Sequence, residues 1–360
     1  MERDAVDVDL GHPVDVDLGH HGDRDVAPGL IDLAVNVRPA RTPSWLVEAV
    51  TADADWAAYP DPRPATAALA RHLRVEVDQV LLTAGGAEAF TLIARGLPAR
   101  APVVVHPQFT EPEAALRAAG RDVRRVLLSA SEGFRLAGPG PGGVPESADL
   151  VLVGNPTNPT SVLHPAAALR ELRRPGRALV VDEAFMDAVP GEPETLIGPD
   201  MAGVLVLRSL TKTWGLAGLR VGYLVGDPDL VAQCAAQQPP WSVSTPALRA
   251  VLACLGERAA TESARVARDA QLAREDLQRR LEAAGIAYVA PARAPFLLLD
   301  TSRCGDASVR EPLAARGFAV RRGETFPGLG PTWVRVAVRD SAIHAELLAA
   351  LVELQGSGDS

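Results

Sequence analysis

The stretch SLTKTWGLAGLRVGY, residues 209–223, holds Lys212, the only lysine in a chain of 360 residues. The chain has 36 lysine and arginine side chains together, so every other permanent cation is arginine. A surface position that needs only charge accepts arginine freely. An amine that must lose its proton and attack a carbon has no arginine substitute, because guanidinium stays protonated. An Arg-rich, Ala-rich composition accounts for the scarcity of lysine but not for its retention here. Position 212 therefore reads as a chemical position.

The rest of the composition narrows what that chemistry serves. The formal net charge is −9, which argues against nucleic acid, a partner met by clustered basic residues. No apolar run approaches the roughly 20 residues of a bilayer-spanning helix. The acidic start, MERDAVDVDLGH, lacks the apolar core of a secretory signal. Cys234, Cys254 and Cys304 lie far apart, without metal-ligand spacing, as suits a reducing cytoplasm. Residues 6–20 repeat VDVDLGH, and with it the segment 1–24 reads as a flexible arm; no metal site is expected from its Asp and His.

From residue 79 onward, short β-branched runs alternate with Ala/Leu-rich helical stretches. The runs are QVLLT (79–83), PVVVH (102–106), DVRRVLL (122–128), DLVLVG (149–154), RALVVDEAF (177–185), GVLVLRSL (203–210) and LRVGYLVG (219–226). Their alternation with helices such as 86–96 and 109–119 predicts an α/β domain with a largely parallel seven-stranded sheet over 59–260. Residues 245–285 read as long helix. PFLLLD, FAVRR, TWVRVAVR and a closing helix near 341–355 predict a smaller α+β domain over 261–355, with 356–360 as a tail. That lobe is expected to recruit residues 25–58.

Polar residues stand at the ends of several strands, where ligands of open α/β sheets collect. TAGGAEAF (83–90) puts glycines between a strand and a helix, so the amides of Gly86 and Ala87 can cradle a phosphate. An ordinary tight turn would look the same. GNPTNPT (154–160) on its own is a loop. Asp182 closes a very apolar strand, where a carboxylate needs a cationic partner to stay charged, although a helix cap is equally open.

Taken in this order, the motifs resemble the fold type I enzymes that use pyridoxal 5'-phosphate, over about residues 20 to 350. The resemblance implies that Lys212 binds the cofactor covalently and that Ser209, Thr211, Arg220, Gly86 and Ala87 hold its phosphate. It implies that Asp182 pairs with the ring nitrogen, Asn155 reaches the ring's phenolic oxygen and Phe109 stacks on the ring. Tyr59 in AAYPDP matches a tyrosine that reaches the partner subunit's cofactor, which implies a homodimer. Within the fold, DEAF (182–185), QQPPWSVST (237–245), FPGLGPTWVRVAVR (326–339), HHGD (20–23) and LAVNVRP (33–39) resemble threonine-phosphate decarboxylases and the related histidinol-phosphate aminotransferases.

That resemblance implies Asn36 and Arg335 at a substrate carboxylate, with Arg321, Arg339 and His21 as candidates for a substrate phosphate. The first expectation is a decarboxylase of L-threonine 3-phosphate, or a close phosphoamino acid, yielding aminopropanol phosphate for cobalamin synthesis. The alternative is an aminotransferase for histidinol phosphate or an aromatic amino acid. A third reading, a silent cofactor-binding regulatory module, sits poorly with the joint retention of Lys212, Asp182, Asn155 and Arg220. Two departures from the family pattern concern the substrate. HGG reads His21-Gly22-Asp23, and NINP reads Asn36-Val37-Arg38-Pro39. Asp23 would repel a phosphate if it pointed inward, and Arg38 would attract one.

Overall fold

A computed structural model describes residues 16–38, 42–52, 55, 57–136 and 143–358. Most of the acidic repeat, Pro39, part of the 138–147 loop and the end of the tail lie outside the described residues. Seven strands form the main sheet: Val80–Thr83 (β2), Pro102–His106 (β3), Arg124–Leu127 (β4), Leu150–Gly154 (β5), Ala178–Asp182 (β6), Val204–Ser209 (β7) and Gly222–Gly226 (β8). Their order is β2-β8-β7-β6-β5-β3-β4, and only β8 runs antiparallel to its neighbours. Alternate residues of each strand feed two separate apolar layers. Val151, Val153, Leu179 and Val181 join one, while Leu150, Leu152, Val180 and Leu205 join the other. Covering on both faces is why these strands read as unbroken apolar runs.

The smaller lobe has Ala287–Tyr288 (β9), Phe296–Asp300 (β10), Arg321–Arg322 (β12) and Trp333–Ala337 (β13) in the order β12-β13-β10-β9. Ile31–Asp32 (β1) pairs in parallel with Phe318–Ala319 (β11), so the N-terminal segment does join this lobe there. Leu33, next along the chain, lies in the apolar core of the same lobe, and its carbonyl accepts from Ala337 N at 2.8 Å. Helix Ser44–Thr51 buries Leu46 and Val50 in the main core and packs on helix Thr245–Ala253. The predicted long helix is two, Thr245–Ala253 and Glu257–Ala283, because the chain turns at Gly256, the extended residue that begins the second. Residues 16–24 differ from a flexible arm. His20 and Asp25 are buried, Thr110 Oγ1 donates to Leu18 O at 2.7 Å, and Arg321 Nη2 donates to His20 O at 2.6 Å. This segment thus ties the two lobes together across the cleft. Among the described residues, no helix is long and apolar enough to cross a membrane.

The ends of β6 and β7 carry the functional polar residues, and strand alternation divides them between the two sides. Asp182 and Ser209 border a cleft, while their neighbours Glu183 and Arg208 turn to the other side. There Arg208 and Glu183 form a buried ion pair at 2.8 Å. Glu183 also accepts from Leu196 N and Thr195 Oγ1, each at 2.7 Å. Removing Glu183 leaves the buried Arg208 with the part-exposed Glu192, 2.6 Å from its Nη2, as its remaining counter-charge and frees Leu196 N and Thr195 Oγ1 of an acceptor. Glu183→Ala is expected to lower the unfolding free energy in urea by about 2 kcal/mol or more. A loss below about 1 kcal/mol would mean the pair is not what fixes these strand ends.

Candidate active site

The cleft, about 450 Å³, opens at the carboxyl ends of the parallel strands. At one end, helix Gly85–Gly96 begins with Gly86 and Ala87 lining the wall. Gly85 has φ +79°, and a Cβ there would come within 2.8 Å of Arg220 Nη2, so the bare backbone lets the guanidinium lie over the helix start. Ser209 Oγ and Thr211 Oγ1 share a hydrogen bond of 2.7 Å beside them. Gln238 of the QQPPWSV segment donates to Leu82 O at 2.8 Å and to Glu88 at 3.2 Å, supporting the turn into this helix. Two hydroxyls, one guanidinium and two free amides at a helix start form a donor set suited to a phosphate ester.

Lys212 lies at the centre of the cleft. Burial, with Arg335 and Arg220 adding to it, pulls its amine down to about 8, against the pull of Asp182. Arg38 N donates to Lys212 O at 3.1 Å, so the chain at 36–38 crosses directly over the lysine. Burial pushes Asp182 up to about 6. Its Oδ1 accepts from Ala184 N at 3.0 Å, and no side-chain cation among the described residues is hydrogen-bonded to it. A cationic ring nitrogen would supply that missing counter-charge. Phe109 forms part of the wall, tilted against His21 at 5.5 Å and Phe90 at 6.3 Å. Its loop is fixed by Gln108 Nε2 donating to Leu152 O at 3.1 Å and by the buried His106–Glu113 pair at 2.8 Å.

Opposite the phosphate end stands Arg335. Its Nη1 donates to Asn158 Oδ1 at 2.6 Å, its Nη2 bonds Ala34 O, and its guanidinium lies over the Phe296 ring at 5.6 Å. With its carboxamide oxygen turned inward, Asn36 accepts from Arg335 Nη1 at 3.0 Å and Nε at 3.3 Å. The cleft therefore presents an anion-binding group at each end and an amine between them.

Several expected residues sit elsewhere. Asn155 does not line the cleft; its Oδ1 accepts from His164 N at 2.7 Å and its Nδ2 donates to His164 O at 3.1 Å. It holds the turn, and Asn158, three residues on in the same loop, lines the cleft instead. Arg321 is buried outside the cleft lining, with its Nη1 3.7 Å from Asp25. Arg339 is consumed by backbone, its Nε donating to Asp32 O at 3.0 Å and its Nη2 to Val35 O at 2.9 Å. It borders an adjoining chamber of about 290 Å³ that shares Asn36, Val37, Phe185 and Lys212 with the cleft. Arg38, also on that chamber, is paired with Glu262 at 3.0 Å. His21 does line the cleft, with its Nε2 2.6 Å from Glu111 Oε1. Tyr59 is 75% exposed and stacked on Trp241 at 4.3 Å, outside the cleft of its own chain. Phe90 and Ala184 line the site without any signal in the sequence beyond ordinary core residues.

Comparison with known proteins agrees with this arrangement. Residues 28–353 match the family described as aminotransferase class I and II, and the chain belongs to that family. It is an enzyme whose cofactor is pyridoxal 5'-phosphate. Among its relatives is a histidinol-phosphate aminotransferase of Mycobacterium tuberculosis, 47% identical over 337 residues, spanning 92% of this chain and 89% of that protein. A threonine-phosphate decarboxylase of Salmonella typhimurium is 32% identical over 334 residues, spanning 89% of this chain and 90% of that protein. The crystal structure of a histidinol-phosphate aminotransferase from Clostridium acetobutylicum superposes with a TM-score of 0.79. At 21% identity, over 91% of this chain and all of the other, it shares the fold type I architecture.

The depressed lysine makes a pH prediction. Only the unprotonated amine attacks an aldehyde, and its fraction grows as pH rises through about 8. Stopped-flow capture of pyridoxal phosphate by the cofactor-free protein is expected to accelerate through that pH and level off above it. Arg335→Gln removes a neighbouring positive charge and so moves the midpoint to higher pH. A wild-type midpoint near 10, the value of a solvated lysine, would contradict this account.

Proposed function

We propose that the enzyme is an aminotransferase acting on histidinol phosphate or a closely related phosphorylated amino alcohol, working as a cytoplasmic homodimer. The sequence alone put threonine-phosphate decarboxylation first. The 47% identity to a histidinol-phosphate aminotransferase, against 32% to a threonine-phosphate decarboxylase, gives the weight to the aminotransferase. That difference in identity is the observation that carries the reading. Beyond the phosphate cradle, Arg335 is the one arginine lining the cleft among the described residues. It can bind the phosphate of histidinol phosphate and, in the second half-reaction, a carboxylate of 2-oxoglutarate.

The bound cofactor supplies an electron sink for the pair left when a bond to the amine-bearing carbon breaks. Gly86, Ala87, Ser209, Thr211 and Arg220 would hold its phosphate, and Asp182 would balance its ring nitrogen. Asn158, on Arg335, stands where it can couple substrate binding to the ring. Lys212, at about 8, can accept a proton from the substrate carbon and return it to a neighbouring atom near neutral pH. Histidinol phosphate has no carboxylate on that carbon, so proton transfer is the chemistry open to it. Arg335 and Asn36 hold the substrate so that the C–H bond faces Lys212.

Exposed Tyr59 and Trp241, stacked on each other, support the homodimer, since a large aromatic pair in water favours burial against a second copy. Three unpaired cysteines suit a reducing compartment. The decarboxylase remains the second reading, supported by the QQPPWSV and FPGLG segments. Purified holoenzyme with histidinol phosphate and 2-oxoglutarate is expected to form glutamate. Carbon dioxide release from L-threonine 3-phosphate without a 2-oxo acid, together with no glutamate from histidinol phosphate, would reverse the assignment.

A further inference from the structure

The turn 157–162 carries Asn158, the large lobe's partner for Arg335, and meets the smaller lobe at Ser161. Thr157 N donates to Val162 O at 2.8 Å and Ser161 N to Thr157 O at 2.7 Å, so the turn is closed on itself. Ser161 is fully buried, and its φ of +63° lies in the left-handed region that a serine enters only at a cost. In that conformation its Oγ accepts from Ala294 N at 2.7 Å and from Arg293 N at 3.1 Å. Its carbonyl also accepts from Arg293 N, at 2.8 Å. Arg293 and Ala294 lead directly into β10 of the smaller lobe. Arg274, on the helix Glu257–Ala283, fixes the same segment by donating from Nη1 to Arg293 O at 2.8 Å.

The anion-binding end of the cleft hangs on this seam. Arg335 pairs across the smaller sheet with Leu298 of β10, and its guanidinium lies over the Phe296 ring of the same strand. Its Nη1 reaches Asn158 on the other lobe at 2.6 Å. Ser161 stands three residues after Asn158, and its acceptor oxygen holds the amide two residues before Phe296. The ring contact between Phe185 and Phe296, 5.0 Å between centroids, also spans the lobes, but apolar contact does not impose the direction that a hydrogen bond does. Ser161 itself does not line the cleft, and the phosphate cradle, Asp182 and Lys212 stand on other elements.

We infer that Ser161 is a positioning residue for the substrate's anionic group. Through the amides of Arg293 and Ala294 it sets the spacing between Asn158 and Arg335, so the guanidinium is oriented before the ligand arrives. The buried hydroxyl is what makes the left-handed serine worth its strain, since without it two buried amides lose an acceptor. The inference rests on Arg335 as the group that meets the anion, and not on the choice between transamination and decarboxylation.

The test compares wild-type holoenzyme with Ser161→Ala, Ser161→Gly, Asn158→Ala and the Ser161→Ala/Asn158→Ala double variant. Ser161→Ala removes the oxygen and keeps the backbone strain; Ser161→Gly removes the oxygen and relieves it. Cofactor affinity is measured first, then the apparent affinities for histidinol phosphate and L-threonine 3-phosphate from the change in cofactor absorbance. Both Ser161 variants are expected to weaken the ligand that binds by about tenfold, below the roughly hundredfold that a misplacement of about 1 Å can bring. Cofactor affinity is expected to stay within about twofold of wild type. In the Asn158→Ala background the Ser161→Ala effect is expected to shrink below about threefold, because both residues act on one contact. Wild-type ligand affinity in both Ser161 variants, with only a lower thermal midpoint, would overturn the inference. So would weakening in Ser161→Ala alone, which would assign the effect to backbone strain, or full additivity with Asn158→Ala. If wild type forms no glutamate from histidinol phosphate while threonine phosphate binding weakens in the Ser161 variants, the proposed function falls and the role of Ser161 stands.

Discussion

The site depends on lowering the proton affinity of one amine that stands beside a carboxylate and between two guanidinium groups. Burial alone would favour the neutral amine, and Arg335 and Arg220 push in the same direction, while Asp182 opposes them. The fold sustains this arrangement through strand register. Asp182 stands opposite Gly154 of β5 and Leu207 of β7, so the strand ends finish at nearly one level and open a common cleft. The Glu183–Arg208 pair on the far side holds two of those ends without spending any group that faces the cleft. Parallel strands and helix starts then deliver anion-binding amides and hydroxyls to the same edge, as open α/β sheets do.

Much of this was legible in the chain. The seven strands stand within a few residues of the apolar runs that predicted them, because burial on both faces writes itself as uninterrupted Val and Leu. Lys212 could be read from the contrast with arginine at every other cationic position. Asp182 could be read from the cost of a carboxylate at the end of an apolar strand. Asn155 and Asn158 could not be told apart in the same way. Both precede proline in one short loop, and only the fold shows that the first spends its amide on the His164 backbone while the second faces Arg335. The same holds for Arg321, Arg335 and Arg339, which lie near one another in sequence on apolar segments. Which arginine is free depends on the carbonyls and carboxylates that come from residues 20–35, about three hundred positions away.

The N-terminal segment shows how a composition argument can mislead. An acidic repeat reads as solvated chain, yet residues 16–25 lie across both lobes and bury His20 and Asp25. The signal that separates the two is the switch from repeating VDVDLGH to HHGDRD, where short-range charge pairs with Arg310 and Arg321 become available. The buried arginines Arg177, Arg274 and Arg321 spend guanidinium N–H groups on backbone carbonyls inside the fold.

The central claim is that the single lysine carries the cofactor, and the composition makes this directly measurable. Borohydride reduction of the holoenzyme, followed by mass spectrometry of its peptides, reads where the cofactor is attached. The account predicts one reduced pyridoxyl-phosphate adduct, on the peptide containing Lys212, and none in a folded Lys212→Arg variant. An unmodified Lys212 peptide from cofactor-saturated wild type, or an adduct that persists in Lys212→Arg, would contradict it.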